Sequence, residues 1–168
     1  MWLCDEHGMA GDVIDMRIYV VARGYFEGMR GRSEEREALG AFRVISINAT
    51  GEEPPFGVEF LGLPTLLVLR FDDVSESYED GVFMTSQDAK RVIDFVAEES
   101  PEKPLVIHCT AGVSRSGAVG EVLNDWLNRI VSPNEADYER FRREHPHLVP
   151  NTHVRRLLLA EIERRMAL

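Results

Sequence analysis

The stretch from Pro104 to Gly117 reads P-L-V-I-H-C-T-A-G-V-S-R-S-G. It begins with a short apolar run, continues with small residues that favour a tight loop, and is followed by a long helical pattern. The stretch therefore predicts a strand, a loop and a helix in succession. Cys109 would end the strand, and Arg115 would begin the helix.

The loop between this strand and this helix has the composition of an anion-binding loop. Its residues are Thr110, Ala111, Gly112, Val113 and Ser114. Small side chains and a glycine allow successive backbone N–H groups to turn toward one point, and the positive end of the helix dipole faces the same point. The planar guanidinium of Arg115 then matches two oxygens of a bound phosphate. The loop therefore predicts a phosphate-binding site.

Cys109 stands where its sulfur would face that positive site. Positive surroundings lower the pKa of a thiol, so such a cysteine is largely a thiolate at neutral pH. A thiolate beside bound phosphate is a nucleophile directed at phosphorus. The alternative is a buried structural thiol, the usual role of a lone free cysteine. The offsets of Gly112 and Arg115 from Cys109 favour the nucleophile.

The motif from His108 to Ser116, H-C-x-x-G-x-x-R-S, resembles that of the cysteine-dependent protein tyrosine phosphatases and is most similar to the dual-specificity branch. The resemblance implies one phosphatase-like catalytic domain over residues 1–168. It also implies that Ser116 hydrogen-bonds the Cys109 sulfur and helps it leave, although a plain serine at a helix N-terminus would look the same. His108 is expected to support the loop and tune the thiolate rather than to carry protons.

The leaving oxygen of a phosphate ester needs a proton, which a nearby carboxylic acid can supply. The family places an aspartate on a loop after the preceding strand, and Asp72 and Asp73 stand there in this sequence. We predict Asp73 as the general acid and expect Asp72 to be a turn residue, while keeping it as the second candidate. Asp80 is a third candidate.

These residues together predict hydrolysis of a phosphate monoester through a cysteinyl-phosphate intermediate. The expected substrate is a phosphorylated protein or peptide that carries phosphotyrosine, with phosphoserine and phosphothreonine also open. No cofactor or metal is expected, because the amide ring and Arg115 supply the positive field.

Alternative functions stay open. One is a catalytically silent phosphate-binding module that recognises phosphorylated partners. Another is a phosphatase for phosphoinositides or other small phosphates. The family resemblance makes this weaker, because the inositide-directed branch usually carries extra basic residues in this loop and no lysine stands between Cys109 and Arg115. A rhodanese-like sulfur carrier is disfavoured, because the position of Arg115 suits a tetrahedral phosphate.

The composition is that of one globular domain with a sizeable core: 168 residues, of which 44% are hydrophobic and 29% are charged. A net charge of −10 argues against a nucleic-acid partner, which requires clustered cations. The sequence shows no apolar run that could span a membrane and no basic and apolar start typical of a signal peptide. We therefore expect a cytoplasmic monomer that has no membrane partner.

Several residues outside the motif are candidates for other roles. Residues 1–15 are expected to form a flexible arm, in which Cys4 is an incidental thiol rather than a redox partner of Cys109. His145 and His147 have the spacing of metal ligands but are expected to be a loop pair. The arginines of residues 23–32 either form a solvated turn, which is favoured, or line the mouth of the phosphate site.

Periodicity predicts the remaining elements. Strands are predicted at 17–22, 42–48 and 63–71, the last one buried on both faces. Helices are predicted at 33–41, from Thr85 to just before Ser100, from 115 to 130 with Ile130 facing inward, from a Ser132 cap to about 144, and from an Asn151 or Thr152 cap onward. The order of elements predicts an α/β fold with a central, mostly parallel, twisted sheet flanked by helices on both faces and a helical C-terminal part.

Overall fold

A parallel four-stranded sheet forms the centre of the protein and confirms the predicted α/β class. The computed structural model describes residues 16–27, 40–57, 62–77, 79–98 and 102–167. The strands are β1 (Ile18–Ala22), β2 (Arg43–Asn48), β3 (Leu66–Arg70) and β4 (Leu105–Cys109), and they lie in the order β1-β4-β2-β3. The C-terminal ends of parallel strands share one edge of a sheet, so β4 delivers Cys109 to that edge beside Ala22 of β1.

Within the described residues, four helices flank the sheet. They are α1 (Ser86–Glu98), α2 (Arg115–Trp126), α3 (Glu135–Glu144) and α4 (Thr152–Met166). A π-helical turn, Leu127–Val131, continues α2, and a short helical turn spans Gly24–Glu27. Most of the predicted helix at 33–41 lies outside the described residues. Within the described part of the chain, no helix is both long enough and apolar enough to cross a membrane.

The main core lies between one face of the sheet and these helices. It contains alternate residues of every strand together with the apolar faces of all four helices. On the opposite face of the sheet, Phe56 from the loop after β2 packs with Val44 and Val106 in a smaller cluster. The sheet is therefore covered on both faces, but α1–α4 all pack on one of them, whereas the prediction placed helices on both faces.

β3 differs from the prediction that it is buried on both faces. Leu67 and Leu69 enter the main core, but Leu66 and Val68 are only half-buried. The reason is position, because β3 is an edge strand that, among the described strands, pairs only with β2.

The C-terminal end of α2 also differs from its prediction. Ile130 was expected to face inward, but 56% of it is exposed. The π-helical turn that begins at Leu127 has more residues per turn than an α-helix, so the positions after it no longer follow the helical spacing of α2.

The helix caps are largely those that the sequence indicates. At the start of α1, the Asp88 N–H donates to Thr85 Oγ1 at 3.1 Å, and the Thr85 N–H donates to Asp88 Oδ2 at 3.0 Å, which is a capping box. The cap of α3 is Asn134 rather than the predicted Ser132, since the Asn134 side chain accepts from the Asp137 N–H at 3.1 Å. Asn151 caps α4 by accepting from the Val154 N–H at 3.0 Å.

A buried amide fixes the loop that follows β2. Asn48 is fully buried, and its Oδ1 accepts from the Phe56 N–H at 2.8 Å. Its Nδ2 donates to the Phe56 carbonyl at 3.2 Å and to Ser46 Oγ at 3.1 Å. These bonds hold the two ends of residues 48–56 together at the edge of the sheet where Cys109 lies.

The His145 side chain hydrogen-bonds to the backbone of β1 at the edge of the sheet. Its Nε2 accepts from the Val20 N–H at 3.0 Å, and its Nδ1 lies 2.9 Å from the Phe141 carbonyl. The ring is therefore neutral with the proton on Nδ1, because Nε2 must accept. Burial lowers the pKa of His145 below its ordinary value, although the Phe141 carbonyl acts in the opposite direction.

We expect acid to weaken the fold through His145. The unfolded chain protonates this histidine at a higher pH than the folded protein does, so its contribution to the free energy of unfolding declines as the pH falls below about 6.5. His145→Ala leaves the Val20 N–H unsatisfied, which costs about 1–3 kcal/mol at neutral pH, and removes this part of the pH dependence. Denaturant unfolding at neutral and mildly acidic pH measures both effects. His147→Ala, at an exposed position, is the matched control, and an equal decline in wild type and His145→Ala would contradict the expectation.

Candidate active site

The loop after β4 approaches the backbone of β1 so closely that only glycine fits at its centre. Gly112 has a φ of +69°, and a Cβ built on it would lie 2.5 Å from the Val21 carbonyl carbon and 2.6 Å from the Ala22 nitrogen. On the other side, the Arg23 N–H donates to the Cys109 carbonyl at 2.9 Å. The end of β1 thus sets the curvature of residues 110–115.

The sulfur of Cys109 lies inside this curve and is nearly fully buried, with 2% of the residue exposed. Ser116 Oγ lies 3.0 Å from Cys109 Sγ. Burial raises the pKa of the Cys109 thiol, but hydrogen bonds from the Ser116 hydroxyl and from backbone N–H groups outweigh it, so the net pKa is lowered. The backbone donors belong to Ser116, Val113 and Gly112. The sulfur is thus held in surroundings that favour the thiolate.

Arg115 is fixed beside the loop by two hydrogen bonds from its guanidinium. The residue is 5% exposed, its Nη1 donates to the Phe71 carbonyl at 2.9 Å, and its Nη2 donates to Thr110 Oγ1 at 2.7 Å. Phe71 directly follows β3, so the end of one strand and the loop after another hold the same side chain. A buried guanidinium with fixed orientation is suited to a bound oxyanion.

The structure brings Asp73 to this loop. Its Oδ1 accepts from Ser114 Oγ at 2.7 Å and from Asn151 Nδ2 at 2.8 Å. Asp73 itself is exposed, so its carboxylate can meet a molecule in the site.

Asp72 points away from the loop and stabilises the turns around it. Its carboxylate accepts from the Val82 N–H at 2.8 Å and from the N–H and hydroxyl of Thr50. The hydrogen bonds from Val82 and Thr50 lower the pKa of Asp72, so it holds a negative charge. Asp80 is exposed, near the end of the same loop.

His108 is completely buried beneath the loop, with the edge of its ring against Phe56 at a centroid distance of 5.1 Å. Burial, with a smaller contribution from the Arg23 guanidinium, lowers the pKa of His108 to about 4. The ring is therefore uncharged at neutral pH.

Glu52 lies in residues 48–56, whose two ends Asn48 holds together, and its side chain contacts the phosphate-binding loop. This contact was not predicted from the sequence. Its Oε1 accepts from Thr110 Oγ1 at 2.8 Å, and its Oε2 lies 3.2 Å from Arg23 Nη1. Burial raises the pKa of Glu52, but hydrogen bonds from Thr110 and the Ala49 N–H, with the charges of Arg23 and Arg115, lower it overall. A negative charge therefore lies beside the first residue of the phosphate-binding loop.

Arg23 and Asn151 are the other residues whose placement sequence reasoning missed. The favoured interpretation of the segment that begins at Arg23 was a solvated turn, but the Arg23 side chain is only 11% exposed and pairs with Glu52. Asn151 was identified only as a helix cap. The sequence did contain a signal for the placement of Arg23 and Glu52. Both residues follow strands, and residues that follow parallel strands meet at one edge of the sheet.

The remaining predicted residues lie as follows. Thr110 and Ala111 are exposed, whereas Val113 and Ser114 are half-buried. Both ring nitrogens of His145 are engaged by backbone groups, which leaves none for a metal shared with His147. No cluster of three or more His, Cys, Asp or Glu side chains suited to a metal ion occurs within the described ranges. Cys4 and the rest of residues 1–15 lie outside those ranges.

Comparison of the sequence with protein-family models and with curated proteins finds no match. Solved structures do match. Cydia pomonella PTP-2 phosphatase aligns with a TM-score of 0.56 and 18% identity over 86% of this chain and 85% of its own. A human tyrosine phosphatase-like serine/threonine/tyrosine-interacting protein aligns with a TM-score of 0.52 and 18% identity over 80% and 86%. PTPMT1 in complex with PI(5)P aligns with a TM-score of 0.50 and 14% identity over 93% and 96%.

These likenesses establish the fold. The chain has the architecture of the protein tyrosine phosphatases, which confirms at the level of fold the resemblance predicted from residues 108–116. The identities are too low to carry substrate or activity from those proteins to this one.

We expect Ser116→Ala to raise the pKa of the Cys109 thiol, because it removes the hydroxyl that lies 3.0 Å from the sulfur. Ultraviolet absorbance of the thiolate, followed against pH, measures this in a Cys4→Ser background that leaves a single cysteine. Ser132→Ala, outside the loop, is the control. An unchanged titration in Ser116→Ala would show that the backbone N–H groups alone set the pKa.

Proposed function

We propose that the protein is a phosphoric monoester hydrolase that works through a cysteinyl-phosphate intermediate. The observation that carries the proposal is the surroundings of the Cys109 sulfur. Backbone N–H groups of the loop and the Ser116 hydroxyl converge on one buried thiol, and the guanidinium of Arg115 is fixed by a hydrogen bond to Thr110 of the same loop. This combination supports a nucleophile together with a site for the oxyanion that it attacks.

In the first step, the Cys109 thiolate attacks phosphorus, an S–P bond forms, and the P–O bond to the leaving group breaks. The loop N–H groups and Arg115 bind the non-bridging oxygens and stabilise their charge. The leaving oxygen takes a proton from Asp73, whose exposed carboxylate is hydrogen-bonded to Ser114 of the loop and to Asn151.

In the second step, water attacks the phosphorus of the intermediate and the S–P bond breaks. Asp73, ionised after the first step, accepts the proton of that water and returns to its starting state. The bonding electrons return to the Cys109 sulfur, and the Ser116 hydroxyl stabilises the charge that develops there. Phosphate and the free thiolate are the products.

We propose a phosphorylated protein or peptide as the substrate, with phosphotyrosine or phosphoserine and phosphothreonine as the phosphorylated side chain. Glu52 supports this choice over phosphoinositides, since its carboxylate beside Thr110 repels substrates that carry further phosphates near the one to be hydrolysed. The same thiolate chemistry requires reducing surroundings, so we propose the cytoplasm as its location.

A phosphate-binding module that does not hydrolyse its ligand is the second candidate. The fold allows it, because a structure of this architecture is named an interacting protein. The presence of Cys109, Arg115 and Asp73 together favours hydrolysis, since binding alone needs neither a nucleophile nor an acid.

We expect the wild-type protein to hydrolyse a small aryl phosphate without added metal and Cys109→Ser to be inert while still binding inorganic phosphate. Arg115→Lys should lose most of the activity, because an ammonium group cannot bind two phosphate oxygens in one plane. Release of phosphate and isothermal titration with inorganic phosphate measure the two properties. Undiminished activity in Cys109→Ser would rule out the nucleophile, and a wild type that binds phosphate without turnover would favour the binding module.

We expect Glu52→Gln to increase kcat/KM for a phosphoinositide relative to a singly phosphorylated tyrosine peptide, because it removes one negative charge beside the loop. Glu53→Gln is the matched control, since it removes the same charge from the neighbouring residue, which pairs with Arg70 instead. Equal effects of both variants would mean that net charge, and not the position of Glu52, governs the preference.

A further inference from the structure

Asn151 joins two parts of the site through one buried side chain. The residue is 6% exposed, and its Nδ2 donates to Asp73 Oδ1 at 2.8 Å and to the Val74 carbonyl at 3.2 Å. Its Oδ1 accepts from the Val154 N–H and so caps α4. The start of α4 is therefore tied directly to the loop that carries Asp73.

The same residues form a closed ring with the phosphate-binding loop. The Asn151 N–H donates to the Ser114 carbonyl at 3.2 Å, and Ser114 Oγ donates to Asp73 Oδ1 at 2.7 Å. Asp73 Oδ1 completes the ring by accepting from Asn151 Nδ2. Each member is thus held by the other two, and the ring joins residues from three separate segments.

Two donors on one carboxylate oxygen have a chemical consequence. Oδ1 uses its lone pairs to accept from Ser114 and Asn151, so a proton placed on Oδ1 would break the bond that Ser114 donates and force its hydroxyl to turn and accept instead, whereas a proton on Oδ2 leaves both bonds intact. When Asp73 is protonated, the proton is therefore carried by Oδ2. The two donors also oppose rotation that would exchange the oxygens.

We infer that Asn151 is a positioning residue that, with Ser114, holds Asp73 so that Oδ2 carries the proton given to the leaving group. The inference rests on the proposed function and deepens it, because it assigns separate tasks to the two oxygens of the acid. Asn151 does not touch the reacting atoms and acts through Asp73 alone.

Asn151→Ser separates this role from helix capping. Serine can still cap α4, but it lacks the amide group that donates to Asp73. Asn134→Ser is the matched control, because it makes the same exchange at the cap of α3, where the Asn134 Oδ1 accepts from the Asp137 N–H. Thermal unfolding of both variants reports any loss of capping.

The kinetic test uses two substrates that differ in leaving group. We expect Asn151→Ser to slow an alkyl phosphate, a poor leaving group, by roughly 10-fold or more, within the ~10²–10⁴-fold that a general acid contributes. An aryl phosphate with a good leaving group should react nearly as in wild type. Ser114→Ala removes the second donor, and we expect it to slow the alkyl phosphate more than the aryl phosphate, in addition to any loss of phosphate binding that affects both substrates.

A double variant tests whether the effect passes through Asp73. In an Asp73→Asn background, Asn151→Ser should cause no further loss, because the acid is already absent. Equal slowing of both substrates, or losses that multiply in the double variant, would overturn the inference and leave Asn151 as a structural residue. The hydrolase itself would stand in that case, since its test is the loss of turnover in Cys109→Ser.

Discussion

The site depends on the balance between burial and hydrogen bonding, which have opposite effects on the ionisation of one sulfur atom. Burial opposes ionisation of Cys109, and the Ser116 hydroxyl with the inward N–H groups of the loop favours it. Hydrogen bonding outweighs burial only while the loop keeps the curvature that directs these N–H groups at the sulfur. That curve in turn requires Gly112, whose missing side chain lets the loop lie against the backbone of Val21 and Ala22.

The surroundings of this loop are held by polar contacts that cross between segments. Arg115 bonds to the end of β3, Asp73 bonds to the start of α4, and Glu52 bonds to the loop itself. Asn48 holds the segment of Glu52, and Asp72 joins that segment to the loop of Asp73. The mouth of the site is therefore a single connected network, in which one displaced segment would disturb the others.

The sequence allowed the fold class, the four strands and the reactive loop to be predicted, because each depends on residues that are close together in the chain. The order of residues 108–116 alone indicates the end of a strand, a tight loop and the start of a helix. The roles of Glu52 and Asn151 could not be predicted, since each depends on a contact across the fold, 58 residues in one case and 78 in the other. The exposure of Ile130 was missed because periodicity assumes an unbroken α-helix. Which residues perform the chemistry stays a proposal.

The hydrogen bond between His145 and Val20 affects how the edge of the sheet can interact with other molecules. β1 lies at the border of the sheet, and an open strand there offers unpaired backbone groups to another molecule. By occupying the outward N–H of Val20, the imidazole removes one of the backbone donors that an added strand would need. His145 thus opposes pairing of β1 with a strand of another molecule, and it does so only while its ring is neutral.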